Sequence, residues 1–443
     1  MLSADQSIGT GDMGRGTTLP AQRRRQESRV VRAGFIPLVD VAILVAAAEQ
    51  GFADREGISL ELIRDVSWSN IRDRLAFRQF DVAHALSPMP IASQLGIGSN
   101  PYGSFTPFAL GRGGNAITLS VSLYREMAAV AGLEGSEDAL ANARALRAVI
   151  DRRVRDGRKP LLFGMTYPFS SHNYEFRFFM AAGGIDPDRD VTMTVVPPPM
   201  TADAMAAGAI DGFCVNAPWN LVAVERGVGR VVATKRDIWP SAPEKVLAVR
   251  PDWAETHGET LSRLIVALDA AARWCDDPEN VSELAAMLSE DAYVGVQADL
   301  FRSLLRGRFM VDPDGTTREI PDYLVFHRET ANFPWISQAH WIYSQMVRWG
   351  QTAFSAEGQR RAGAAYRPDL YRAALAGTAA DIPFATSKPE GSAGGAIVSG
   401  VHGDIRLAPD PILDGRPFDA DDIPRYLAGF PIRRSGAEHT PGD

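Results

Sequence analysis

Cysteine is nearly missing from this sequence: Cys214 and Cys275 are the only two in 443 residues. Two thiols cannot build a disulfide framework or fill a zinc site, and they read as buried thiols of a reducing compartment. Positive charge is also short. The formal net charge is −8, which leaves no basic excess to hold a phosphate backbone and argues against direct contact with nucleic acid. No run of about 18 apolar residues is present, so no membrane-spanning helix is expected. Phosphate-binding Walker loops, the glycine fingerprint of dinucleotide sites and the HExxH zinc motif are absent too, and no cofactor or metal is expected. What remains is ordinary for a globular chain, with 45% hydrophobic and 23% charged residues, and a length that suits two or three domains.

One segment imitates a targeting signal. Arg23-Arg24-Arg25 precedes an apolar stretch from Gly34 to Ala48, as in a twin-arginine leader. The stretch contains Pro37 and Asp40, opens with the strand-like Val30–Ile36 and runs into a helix-like segment from Val41 to Gln50. It reads as a β-turn-α unit whose removal would delete the first strand, and a cytoplasmic protein is expected. Residues 1–28 are polar and glycine-rich and are expected to form a disordered lead.

From residue 30 short apolar runs alternate with helix-period segments, the pattern of α/β layers. Strands are expected at Val30–Ile36, Ser59–Arg64, Val82–Ala85, Ala116–Val121, Leu161–Met165, Val191–Val196, Gly212–Val215 and Val246–Val249. Two octets repeat a design: Asp81-Val82-Ala83-His84-Ala85-Leu86-Ser87-Pro88 and Asp211-Gly212-Phe213-Cys214-Val215-Asn216-Ala217-Pro218. In each an Asp opens a strand and a Pro seven residues later opens the next element, which suggests two facing lobes of similar construction. Beyond residue 255 the chain turns mostly helical, with helices expected at Thr260–Asp276 and Val281–Leu288. Trp335, Trp341 and Trp349 read as core. Ser387–Gly395 reads as a loop, and Ile412-Leu413-Asp414-Gly415 as a hairpin-type turn before a last short helix.

Three segments place a helix start directly after a strand, where free N–H groups and the positive dipole end can seat an anion. In Ser67–Arg72, Ser69 and Asn70 are the expected caps, and Trp68 sits at the strand's carboxyl end, where α/β proteins bind ligands. In Pro168–Glu175, His172 falls in a first helical turn that Glu175 is suited to close. In Asn216–Asn220, Asn216 is the expected cap and Pro218 an early helical residue. Lys245 follows a proline-rich loop at the mouth of a strand, where the plain alternative is a solvated lysine. Rival chemistry is thinner. Asp186-Pro187-Asp188-Arg189-Asp190 lacks the glycine and distal glutamate of a calcium loop and reads as a turn. Cys214 and His172 lack the third group of a catalytic triad, so no catalysis is expected.

These blocks, with Gly34–Asp40, Gly114–Ser120, Pro197-Pro198-Pro199, Asp237–Pro240, Glu244–Leu247, Arg348-Trp349-Gly350 and Asp414–Asp419, resemble the nitrate- and bicarbonate-binding protein family of ABC transporters over residues 30 to about 432. Within it the likeness is to the cytoplasmic nitrate sensors of nitrate-assimilation operons. The resemblance implies an α/β, two-lobed periplasmic-binding-protein-like (type II) fold with a mostly helical C-terminal extension. It divides the chain into residues 29–120 and 245–432 as lobe 1, 121–244 as lobe 2, and 433–443 as a tail. It implies an anion pocket of Trp68, His172, Asn216 and Lys245, binding nitrate or nitrite. Lysine at 245 resembles the nitrate branch, whereas the bicarbonate branch carries an acidic residue there. Asn216-Ala217 departs from the usual Gly-Glu before Pro-Trp-Asn, and Val121 stands about where nitrate binders carry a polar side chain. The implied partner is an RNA-binding antiterminator with an ANTAR domain; the alternative is the substrate-binding component of a nitrate or bicarbonate importer.

Overall fold

The computed structural model describes residues 29–98, 102–133 and 138–434. The expected disordered lead at 1–28, and the tail from residue 435 onward, lie outside the described residues. In chain order the elements that matter are β1 (Arg29–Phe35), α1 (Ala42–Glu49), β2 (Ile58–Arg64), α2 (Trp68–Ala76), β3 (Val82–Leu86), α3 (Pro88–Leu95), β4 (Asn115–Ser120) and α4 (Val121–Ala131). There follow α5 (Ala139–Arg155), β5 (Leu162–Met165), α6 (Ser171–Ala182), β6 (Thr192–Val195), β7 (Gly212–Asn216), α7 (Trp219–Glu225), β8 (Gly229–Thr234), α8 (Lys235–Ile238) and β9 (Lys245–Val249). The remainder includes α9 (Gly258–Cys275), α10 (Val281–Ser289), α11 (Ile336–Arg348), the hairpin β10 (Ala396–Gly400) and β11 (Gly403–Leu407), and α12 (Ile423–Ala428).

All eight expected strands form, each within one residue at either end. β8 escaped the apolar-run reading because Arg230 and Thr234 interrupt it; Arg230 is buried against Asp312. The turn at Ile412–Gly415 forms, with the Gly415 N–H donating to the Ile412 carbonyl at 2.8 Å. The hairpin lies earlier, in β10 and β11, just after the expected loop.

The strands make two principal sheets, ordered β9-β3-β1-β2 and β6-β5-β7-β4-β8. They share one plan. In the first, β2, β1 and β3 run parallel and β9 joins β3 antiparallel; in the second, β6, β5 and β7 run parallel and β4 joins β7 antiparallel. The repeated octets occupy matching places. The Asp81 carboxylate accepts from the Arg32 N–H of β1 at 2.9 Å, and the Asp211 carboxylate accepts from the Leu162 N–H of β5 at 2.8 Å. Each aspartate thus ties the mouth of its strand to the neighbouring parallel strand. The division at residue 120 needs moving: β4, placed with lobe 1, pairs on both sides within the second sheet, because its Asn115–Leu119 lies against Gly212–Asn216.

The chain crosses between sheets twice, just before β4 and just before β9. The first crossing runs antiparallel beside β9 and the residues that lead into it, bridged at Phe105 with Val249, Ala109 with Val246 and Arg112 with Pro243. Gly114, at φ +82°, sits in the first crossing; a Cβ there would lie 2.6 Å from Nδ2 of Asn216. The C-terminal extension is not confined to lobe 1. α9 and α10 pack on α1, but α11 and α12 cover the second lobe, where Trp341 meets Trp239 with ring centres 4.5 Å apart and Phe178 at 6.2 Å. Trp335, Trp341 and Trp349 are all buried core residues. Among the described residues no helix is long and apolar enough to cross a membrane.

Candidate functional site

Both crossings end on one buried cluster. Asn115, the first residue of β4, stands directly opposite Asn216, the last of β7. Lys245, the first residue of β9, stands opposite Leu86 at the end of β3. Strand ends that face one another across two sheets are where α/β proteins hold ligands. Trp68, His172, Asn216 and Lys245, the four expected site residues, are each at most 1% exposed, which excludes the solvated-lysine reading.

Lys245 has a carboxylate on each side: its ammonium donates to Asp40 at 2.8 Å and to the adjoining Glu244. Its Nζ also lies 5.4 Å from the centre of the Trp68 ring. Asp40, from the turn before α1, accepts from His84 Nε2 at 2.9 Å as well. Burial works to raise the Asp40 carboxyl, but Lys245 and His84 outweigh it and hold it below the usual range. Burial lowers His84, leaving it neutral with Nε2–H turned to Asp40 and Nδ1 without a partner among the described residues.

His172 lies opposite, on the first turn of α6. Its Nε2 faces two acceptors, Glu244 Oε1 at 3.0 Å and Asn115 Oδ1 at 3.1 Å, so Nε2 carries the proton. Nδ1 accepts from the Thr166 hydroxyl at 2.6 Å. Burial again holds this imidazole below its ordinary range. Asn115 binds the centre together: its Nδ2 donates to Glu244 at 2.6 Å and Glu175 at 2.9 Å, while its Oδ1 accepts from Asn216 at 2.8 Å. Lys235 of α8 bridges Glu175 at 2.8 Å and Glu244 at 2.6 Å, and Ser171 donates to Glu244 at 2.5 Å.

Several local expectations change. The cap of α2 is Ser67, which accepts from the Asn70 N–H at 3.2 Å, because its backbone is extended while Ser69 and Asn70 are already helical. Trp68 is therefore the first helical residue. Ser170 caps α6, and Glu175 closes no capping box, since Lys235 and Asn115 hold its carboxylate. Asn216 caps nothing: it ends β7 and its Nδ2 donates to the Gly113 carbonyl at 3.1 Å. Pro218 immediately precedes α7, joined to Ala217 by a cis bond. Val121 stands at the far end of β4 from Asn115, about 20 Å along the strand and away from the buried cluster. Asn115 brings to the cluster a polar side chain that the sequence reading did not single out. Its signal in the sequence was a strand opening with a polar residue after two glycines.

The rival sites close. Burial pushes the Cys214 thiol far up, so no nucleophile forms there. Asp186, Asp188 and Asp190 are taken by Arg434, Arg177 and Arg147, and among the described residues no cluster could hold a metal ion.

Comparison with known proteins agrees with this layout. The NMT1-like family profile matches residues 24–289. The chain belongs to that family. It is 33% identical over 403 residues to the nitrate import ATP-binding protein NrtC of Synechocystis sp., covering 90% of this chain and 55% of NrtC. It is 31% identical over 407 residues to the bicarbonate transport ATP-binding protein CmpC of Synechococcus elongatus, again covering 90% and 55%. The chain thus spans about half the length of these relatives. The crystal structure of the periplasmic nitrate-binding protein NrtA from Synechocystis superposes with a TM-score of 0.79 at 26% identity, covering 92% of this chain and 99% of that one. The two-lobed periplasmic-binding-protein fold, and membership of the nitrate- and bicarbonate-binding family, are as the sequence led us to expect.

Proposed function

We propose that this protein binds nitrate or nitrite in the interlobe cluster, through Trp68, His172, Asn216 and Lys245, and catalyses nothing. One observation carries the reading: Nε1 of Trp68 is a fully buried N–H without an acceptor among the described residues, on a ring that faces the buried Lys245 ammonium. A donor and a cation away from water suit a weakly hydrated monoanion. Glu244 can release Lys245 to such an ion without being stranded, since Lys235, Ser171, Asn115 and His172 all still face it. In this reading lobe 1 takes residues 29–114 with β9, α9 and α10, and lobe 2 takes 115–244 with α11 and α12.

The protein acts as a cytoplasmic sensor in this proposal, controlling an antiterminator with an RNA-binding ANTAR domain. Support comes from the segment after Arg25, whose apolar residues are β1 and α1; β1 has a paired strand on each side. A second reading, the substrate-binding component of a nitrate or bicarbonate importer, is favoured by the names of NrtA, NrtC and CmpC. Calorimetry with nitrate, nitrite and bicarbonate tests the ligand: binding of bicarbonate alone overturns the nitrate reading. Nitrate affinity measured with and without saturating antiterminator tests the role. Trp68 and His172 belong to different lobes, so the anion favours closure, and linkage requires the partner to change nitrate affinity as much as nitrate changes the partner's. A change of about 5- to 150-fold is expected; an unchanged affinity leaves the importer reading in place.

A further inference from the structure

Two sequence blocks that the interlobe cluster leaves unused, Arg348-Trp349-Gly350 and Asp414–Asp419, meet at one cavity on the second lobe. Its volume is about 240 Å³, and its walls include Arg144 of α5, Phe178 of α6, Arg348 at the end of α11, Asp414, Arg416 and Phe430. Arg348 is the unusual member. It is 2% exposed, makes no ion pair among the described residues, and leaves Nη1 without a hydrogen-bond partner. Its Nε donates to the Ile432 carbonyl at 3.1 Å. The guanidinium is otherwise surrounded by ring faces, 3.7 Å from the Phe430 centre, 4.5 Å from Trp349 and 5.3 Å from Phe178.

Buried charges are ordinarily paired, because rings alone offset only part of what leaving water costs. Asp414, the one carboxylate in the wall among the described residues, lies 3.8 Å from Arg416. Three guanidiniums against one carboxylate give the cavity a charge of +2. Burial pulls the Arg348 guanidinium down to about 9, more than the attraction of Tyr426 and Asp414 restores. Arg144 is exposed at the rim and Arg416 is anchored through Nη1 on the Gly429 carbonyl.

We propose that this cavity is a second anion site, distinct from the interlobe cluster, that takes a divalent tetrahedral oxyanion of the phosphate class between Arg144, Arg348 and Arg416. Planar guanidiniums suit two-point contact with such an ion, and a charge of −2 neutralises the wall where nitrate would not. Inorganic phosphate and phosphoserine share this chemistry and serve as the two probes.

The test is calorimetry and thermal unfolding of the full chain with phosphate, sulfate and phosphoserine against chloride at equal ionic strength. Phosphate and sulfate should bind and raise the melting temperature, while chloride should not. Arg144→Ala with Arg416→Ala, both at accessible guanidiniums and so compatible with folding, should weaken phosphate by about tenfold or more. Lys245→Gln should leave it unchanged. Tighter binding of phosphoserine than of phosphate assigns the site to a phosphomonoester, and the reverse assigns it to the free ion; either supports the class. No phosphate binding at about 10 mM, an equal affinity in the double variant, or loss of phosphate binding in Lys245→Gln overturns the proposal.

Discussion

Nitrate binding is expected to draw close to one proton into the protein. Around Lys245 the structure gathers three carboxylates, Asp40, Glu175 and Glu244, and two ammoniums, Lys235 and Lys245. Burial keeps His84 and His172 neutral near pH 7, and keeps the Cys214 thiol and Tyr323 phenol protonated. With all three carboxylates ionised the cluster is one charge negative before any anion enters. Burial already raises the Glu175 carboxyl, whereas Glu244 is held well below the usual range, its burial outweighed by Lys235, Lys245 and His172. A monoanion about 5 Å from a carboxylate, at an effective dielectric constant of about 20, adds roughly 3 kcal/mol of repulsion. That is equivalent to about two pKa units. The added negative charge raises Glu175 and His172, so the bound form holds more protons than the free form. Affinity therefore climbs as pH falls between the free and bound values, at up to about tenfold per pH unit, and levels off below both. Calorimetry in HEPES and in Tris reads the proton directly, since the two buffers release different heats on giving it up. Equal heats in both, with an affinity flat from about pH 6 to about pH 8.5, refute the charge count.

Four more outcomes follow from the same geometry. Lys245→Gln should weaken nitrate by several hundred-fold, from about 3–5 kcal/mol for a lost buried charge partner; calorimetry within about threefold of wild type excludes Lys245 from the site. Lys245→Glu is the poorer variant, because it sets four carboxylates against one lysine and should unfold at a lower temperature. Trp68→Phe keeps a ring over Lys245 but deletes the free N–H, and should cost about tenfold in nitrate affinity with little change in melting temperature; an unchanged affinity takes the indole out of the site. Asp81→Ala and Asp211→Ala should each lower folding stability by about 1–3 kcal/mol in urea titrations, and a cost in one lobe with none in the other would break the equivalence of the two octets.

The strands were legible because each is a short apolar run closed by turn residues, and the matching octets revealed the doubled plan through Asp81 and Asp211. The resemblance pointed to Trp68, His172, Asn216 and Lys245, but not to what surrounds them. Asp40 looked like a residue that merely spoils a leader, and Lys235 was not singled out at all. Glu175 looked like a helix cap, and Glu244 like a neighbour of the lysine that matters. Their partners are supplied by two crossings and by the facing of two sheets, information that no local spacing carries. The packing of α11 and α12 on the second lobe escaped for the same reason: an amphipathic helix announces an apolar face but not which core receives it.

Glu244 and Lys245 stand on the returning crossing, and Asn115 ends the outgoing one, so the strap that joins the lobes is also the strap that carries the counter-charges. Under the proposed function, ligand choice and lobe closure are therefore not separately adjustable. A lineage that trades one anion for another by altering residue 244 or 245 also resets the balance between open and closed forms. Repairing that balance falls to the paired stretch from Phe105 to Asn115. Divergence among such proteins should accordingly come in matched changes on the two straps, rather than as single replacements in the pocket.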